Sequence, residues 1–184
     1  MQPLRQSILD MEAIMSVADI YEKRATFSFE VFPPKTDVGM EKLCGKDGVL
    51  DKLYTLEPDY ISCTYGAGGT NVGKNLEVLD KIVKDGKTTP VTHFTCIGNT
   101  KEDIKEKLQT YLDHGIDHML ALRGDLPFGW TGTNGDLHYA TELVKFVRKE
   151  FGDKFTIAVA GSPEGHIQCR SLEADIAFLK QKQD

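Results

Sequence analysis

The 184-residue chain has no apolar run near the roughly 20 residues that a membrane-spanning helix needs. The opening Met1-Gln2-Pro3-Leu4-Arg5 leads into no apolar signal core, because Asp10 and Glu12 interrupt it. Cysteine is scarce. The four thiols (Cys44, Cys63, Cys96, Cys169) show no CxxC spacing, which speaks against a zinc knuckle or a redox pair. Cys63 and Cys96 fall in strand-like runs and read as buried free thiols, so a reducing, cytoplasmic setting is expected. Basic excess is also missing. Lys and Arg number 22 against 28 Asp and Glu, and the net charge of −6 argues against nucleic-acid or anionic-membrane partners, which select basic surfaces. There is no low-complexity segment and no Pro/Ser-rich linker, and no GxGxxG follows the first strand, which weakens a dinucleotide-fold reading.

What the chain does contain is a repeated rhythm: a short β-rich run, a turn marked by Gly or Pro, then a helical stretch. Strands are expected at 26–31, 60–64, 91–96, 118–122 and 155–160. Helices are expected at 6–23, at 40–56 with interruptions at Gly45 and Gly48, and at 72–84. Further helices should run from the Thr100 N-cap to His114, over 137–150, and over 171–182. Five βα units of about 30 residues imply a parallel α/β sheet with right-handed crossovers. A doubly wound open sheet can stop at five strands, whereas a (β/α)₈ barrel needs about 250 residues. Length alone favours the open sheet.

Potentially reactive side chains gather at the strands' C-terminal ends, the face that carries active sites in both folds. Glu30 ends an apolar strand, where partial desolvation would raise its pKa toward that of a general acid; a solvated or ion-paired carboxylate is the plainer reading. Arg123-Gly124-Asp125 follows the fourth strand. Arg offers a fixed fork of donors and Gly lets a ligand approach the backbone, while an internal Arg–Asp pair is the plainer alternative. His93 reads as a core histidine or a ligand. The segment 66–70 (GAGGT) reads as a tight turn or as an anion-facing loop ahead of a helix. His114 and His118 straddle a helix end and a strand, so they do not form a metal pair on one helix face.

Taken together, these segments resemble methylenetetrahydrofolate reductases. The matching stretches are FSFEVFPPKT (27–36), YISCTYGAGGT (60–70), VTHFTCIG (91–98), HMLALRGDLP (118–127), TIAVAGSPEGH (156–166) and SLEADIAFLKQK (171–182). The resemblance implies a (β/α)₈ TIM-barrel domain of which this chain holds about five units. Residues 1–25 would form an N-terminal helical segment and 26–184 a partial catalytic domain. It also implies FAD as cofactor, NADH or NADPH as reductant, and 5,10-methylenetetrahydrofolate as the substrate reduced to 5-methyltetrahydrofolate. Glu30 matches the family's general acid and Asp125 the carboxylate beside pterin and flavin. Thr64, His93, Arg123, Ala160, His166, Asp175 and Lys182 match positions that hold FAD, and Tyr65, Ala67, Gly124, Tyr139 and Ala140 come from the same loops. Ser162 and the run Ile167-Gln168-Cys169 depart from the family's common pattern near the flavin. With three units missing, the chain is expected to be unstable, inactive, or completed by another copy or another chain. A non-catalytic remnant or partner subunit, and a different pterin-binding barrel enzyme, are the alternatives.

Overall fold

Capping residues and glycines set where each helix begins and ends. The computed structural model describes residues 16–65, 72–126, 128–162, 164–167 and 169–183. Helix α1 (Val17–Lys23) precedes β1 (Ser28–Val31). Its start is set by Ser16, which is extended; the Ser16 hydroxyl accepts the Asp19 N–H while the Asp19 carboxylate accepts the Ser16 N–H. This reciprocal cap stops the helix at Val17. The expected continuous helix from residue 6 is therefore broken at Ser16, and residues 6–15 lie outside the described residues. The expected helix 40–56 is two helices, α2 (Asp37–Cys44) and α3 (Val49–Tyr54). Gly45 is extended at φ −70°, ψ 171°. A Cβ there would sit 2.4 Å from the Glu41 carbonyl oxygen, so no larger residue fits the break. Thr36 begins α2 earlier than expected by accepting the Gly39 N–H.

The remaining units are β2 (Tyr60–Cys63), α4 (Val72–Asp85), β3 (Thr89–Thr95), α5 (Lys101–Asp113), β4 (His118–Leu122), α6 (Ala140–Phe151), β5 (Thr156–Val159) and α7 (Leu172–Gln183). All five expected strands are present. The expected Thr100 cap is present too, with both Thr100–Asp103 bonds formed.

The five strands are parallel and stand in the order β1-β2-β3-β4-β5. A doubly wound sheet reverses its direction of growth at a switch point; this one never does. Right-handed crossovers that always step the same way put every following helix on one face. This is the winding of a (β/α) barrel, and it removes the open doubly wound alternative that length favoured.

That helix-covered face holds the core. Ile61, Cys63, Phe94, Met119 and Ala121 meet apolar stripes at helical spacing: Ile104, Leu108 and Tyr111 on α5, and Leu143, Val147 and Phe151 on α6. Burial pushes the thiol pKa of Cys63 up to about 12 and that of Cys96 up to about 11, so both are inert neutral thiols, as their strand positions imply. The opposite face carries the alternate residues, among them Ser28, Glu30, Tyr60, Ser62, Val91, His93, His118, Leu120 and Ala158. They line a cavity of about 460 Å³. Helix α1 closes its lower end: the Val17 N–H donates to His118 Nε2 (3.2 Å), and the Tyr21 and Tyr60 hydroxyls lie 3.1 Å apart. Among the described residues no helix is long and apolar enough to cross a membrane.

One buried amide ties the layers together. Asn75 on α4 is fully buried. Its Nδ2 donates to the carbonyls of Cys63 (3.1 Å) and Thr64 (3.0 Å), and its Oδ1 accepts from the Tyr111 hydroxyl (2.7 Å). Removing it strands the buried Cys63 carbonyl and Tyr111 hydroxyl and the half-buried Thr64 carbonyl, each costly to leave unpaired. Asn75→Ala is expected to destabilise the fold by about 3 kcal/mol in urea denaturation. A loss below about 1 kcal/mol would show that water replaces the amide and that the network is not a structural hub.

Candidate active site

Parallel register decides which side chains can meet at the upper rim. Glu30 on β1 pairs across to Ser62 on β2 and Val91 on β3. His93, two residues beyond Val91, shares its face. The two candidate side chains therefore approach each other from strands that are not neighbours: His93 Nε2 lies 3.3 Å from Glu30 Oε2. The imidazole is 12% exposed and the carboxylate 48%. Glu30 is thus half-covered, on the first of the five described strands.

Burial lowers the His93 pKa below its ordinary value, and the nearby Glu30 charge opposes this only in part. His93 is therefore a neutral imidazole at neutral pH.

The turn after β4 is built by packing. Gly124 has φ +91°, and a Cβ there would lie 2.5 Å from Ile97 Cγ2. Its lack of a side chain is what lets the turn pack on the neighbouring loop. The Arg123 carbonyl accepts the Ile97 N–H (3.0 Å) and its Nε donates to the Gly124 carbonyl (3.0 Å). Among the described residues neither terminal nitrogen of Arg123 has a partner and no Arg123–Asp125 pair forms, so the ion-pair alternative drops out. Arg123 is half-buried and Asp125 exposed.

The other expected residues divide into groups. Thr64 is half-buried and tied down at both ends of its backbone, donating to the Val31 carbonyl (3.0 Å) and accepting from Asn75. Tyr65 turns the other way: its ring is buried on the helix side, 5.1 Å from that of Phe94. Ala67 lies outside the described residues. Tyr139 is exposed at the N-cap of α6, followed by Ala140. Beyond β5, four expected residues form two bonded pairs. Lys182 Nζ donates to the Ala160 carbonyl (2.9 Å), and the His166 N–H donates to the Asp175 carboxylate (2.6 Å).

A family model described as methylenetetrahydrofolate reductase matches residues 14–184. The chain belongs to the methylenetetrahydrofolate reductase family. A relative named methylenetetrahydrofolate reductase (NADH) 1 from Arabidopsis thaliana is 34% identical over 187 residues, covering 95% of this chain and 31% of the relative. A 5,10-methylenetetrahydrofolate reductase from Pectobacterium carotovorum is 38% identical, covering 92% of this chain and 54% of the relative. One from Salmonella typhimurium is 33% identical over the whole chain and 56% of the relative. The chain thus spans about a third of the plant reductase and about half of the bacterial ones.

Within this reductase-family domain, sequence reasoning missed Asn75 and Ser62. Asn75 carried a usable signal, being a polar residue on the same helical stripe as Leu79 and Ile82. Ser62 carried none beyond its alternation with Ile61 and Cys63.

The depressed His93 pKa has a measurable sign. The unfolded chain takes up a proton near the ordinary histidine value of about 6.5, whereas the folded chain does so only at lower pH. His93 therefore contributes stability above that value, and the contribution is lost as pH falls through the folded pKa. An NMR titration of the His93 imidazole should give a midpoint below 6.5. A midpoint at or above 6.5 would mean that the Glu30 charge outweighs burial.

Proposed function

We propose that this chain carries the flavin-holding and proton-donating part of an enzyme that reduces 5,10-methylenetetrahydrofolate to 5-methyltetrahydrofolate. The observation that carries the proposal is the Glu30–His93 contact at the upper rim of a singly wound parallel sheet, in a chain of this family. NADH is the proposed reductant, on the strength of the names of the plant relatives; NADPH is the alternative.

The side chains present suit FAD. Arg123 holds two terminal nitrogens without a partner among the described residues, in the fork geometry that pairs with phosphate oxygens. Lys182 on α7 supplies a second cation, its ammonium on the Ala160 carbonyl just beyond β5. Thr64, His93, Gly124, Tyr139, Ala140 and Ala160 would complete the contacts, with Tyr65 and Ala67 taking part through the backbone of their loop. Bound FAD would supply the hydride chemistry, accepting from the nicotinamide and delivering to the folate.

The protein's own step is a proton transfer. Glu30 donates to the ring nitrogen that leaves as the folate's five-membered ring opens to an iminium. Asp125, exposed on the loop after β4, faces the developing positive charge and favours it.

A second reading, a partner subunit without turnover, draws on the apolar side chains that α7 leaves exposed: Leu172, Ile176, Phe178 and Leu179. One pair of assays on Glu30→Gln separates the readings. Folate reduction should fall at least about 100-fold, the usual worth of a positioned general acid. NADH oxidation with an artificial electron acceptor should stay within a few-fold of the parent. If both rates fell together, Glu30 would be serving the fold or the flavin. Flavin binding with no turnover in the parent chain would favour the partner-subunit reading.

A further inference from the structure

Both ring nitrogens of His118 are engaged, and the chemistry of their partners fixes which one carries the proton. His118 opens β4 on the cavity side and is 7% exposed. A backbone N–H can only donate, so the bond from Val17 (3.2 Å) makes Nε2 a bare acceptor. Nδ1 lies 2.6 Å from the Asp117 carboxylate. That contact holds the Asp117 carboxyl below its usual range. Asp117 is therefore ionised and accepts, and Nδ1 carries the ring proton. The imidazole is neutral while both bonds are made.

The donor on the other side has no ready substitute. Val17 is the first residue of α1, and the first N–H groups of a helix have no partner within it. Ser16 takes the Asp19 N–H, whereas the Val17 N–H goes to His118. Val17 is itself buried, so its N–H reaches water only if α1 shifts. A buried donor left unpaired is costly.

A second proton on the ring breaks this arrangement. It must go to Nε2, which turns the acceptor into a donor pointing at a donor. Asp117 pulls the other way by favouring the charged ring, and histidine is the side chain whose charge changes between pH 5 and 8. The other titratable groups facing the cavity stand on different elements: Tyr21 on α1, Glu30 on β1, Tyr60 on β2 and His93 on β3, with none among the lining residues of β5. On α1, Asp19 is engaged with Ser16. Among the described residues Asp117 is thus the one charged group bonded to this imidazole.

We propose that His118 is an acid-released latch: when neutral it holds the start of α1 across the lower end of the cavity, and its protonation lets α1 lift and opens that end to solvent. Nothing in this device depends on a flavin, and it lies at the opposite end of the strands from Glu30 and Asp125.

Amide exchange of the full chain, followed by NMR at pH 7.5 and 5.5 and expressed as protection factors, tests the latch. At pH 5.5 the Val17 amide and its α1 neighbours should lose protection roughly fivefold or more, the worth of about one hydrogen bond, while α5 and α6 keep theirs. His118→Gln retains an acceptor but cannot titrate, so α1 should stay protected at both pH values. Asp117→Asn keeps an acceptor for Nδ1–H but removes the charge that favours the imidazolium, so release should need a lower pH than in the parent. Equal loss of protection in the parent and in His118→Gln, or no loss in the parent, would overturn the latch. Long-range ¹H–¹⁵N spectra of the ¹⁵N-histidine-labelled parent at pH 8 supply a check that needs no variant. His118 should show a protonated Nδ1 and a bare Nε2; the reverse tautomer would overturn the latch as well.

Discussion

Parallel pairing that never reverses direction is the constraint on which every other feature of this protein rests. Because side chains alternate along each strand, a slip of one residue would send Glu30 and His93 into the helix-covered core and bring Phe29 and Phe94 to the rim. The apolar stripes of α4, α5 and α6 prevent that slip. Ile61, Phe94 and Met119 can be buried only in the observed register, and the polar residues between them are left on the inner face. The site is in this sense a by-product of core packing: the helices fix the strands, and the strands fix the acid.

The loops above the strands are held by polar clamps of a different kind. Asn75 anchors the end of β2 through two carbonyls, and Asn99 does the same beyond β3, donating to the carbonyls of Thr95 (3.1 Å) and Ile97 (2.9 Å). The long connection from β4 to α6 is stapled onto the Asn99 turn. The Gly98 N–H donates to the Thr133 carbonyl (2.8 Å), and a Cβ on Gly135 would sit 2.5 Å from the Asn99 carbonyl oxygen. With Gly124 packed on Ile97, these contacts give Arg123 a rigid base. Rigid support matters because a phosphate-binding fork is useful only where its direction is set in advance.

Much of this was legible beforehand. The alternation of Phe27 and Phe29 with Ser28 and Glu30, and the apolar cores of the other strands, marked all five strands. The Thr100–Asp103 spacing marked a cap. The same signature at Ser16–Asp19 lay inside the expected helix 6–23 and was not read as a cap. Strand order was not legible at all. Length pointed to the open sheet, and only the resemblance pointed to a barrel, since no local pattern encodes which neighbour a crossover chooses. At the site, the gathering of Glu30 and His93 followed from their places at strand ends. The half-coverage of Glu30 did not, because coverage depends on what packs over a strand from outside the local sequence. Tyr65 is the other instructive case: its neighbours suggested a rim residue, but alternation past Cys63 carries its ring into the core.

The account stands on the claim that this register builds a flavin site at the upper rim. The direct measurement is the visible absorption spectrum of the purified chain after incubation with FAD and desalting. A retained flavin spectrum, lost in Arg123→Ala and Lys182→Ala, is the predicted result. Soluble, folded chain that emerges colourless would contradict it, showing that the residues gathered on this face do not hold the cofactor in this chain.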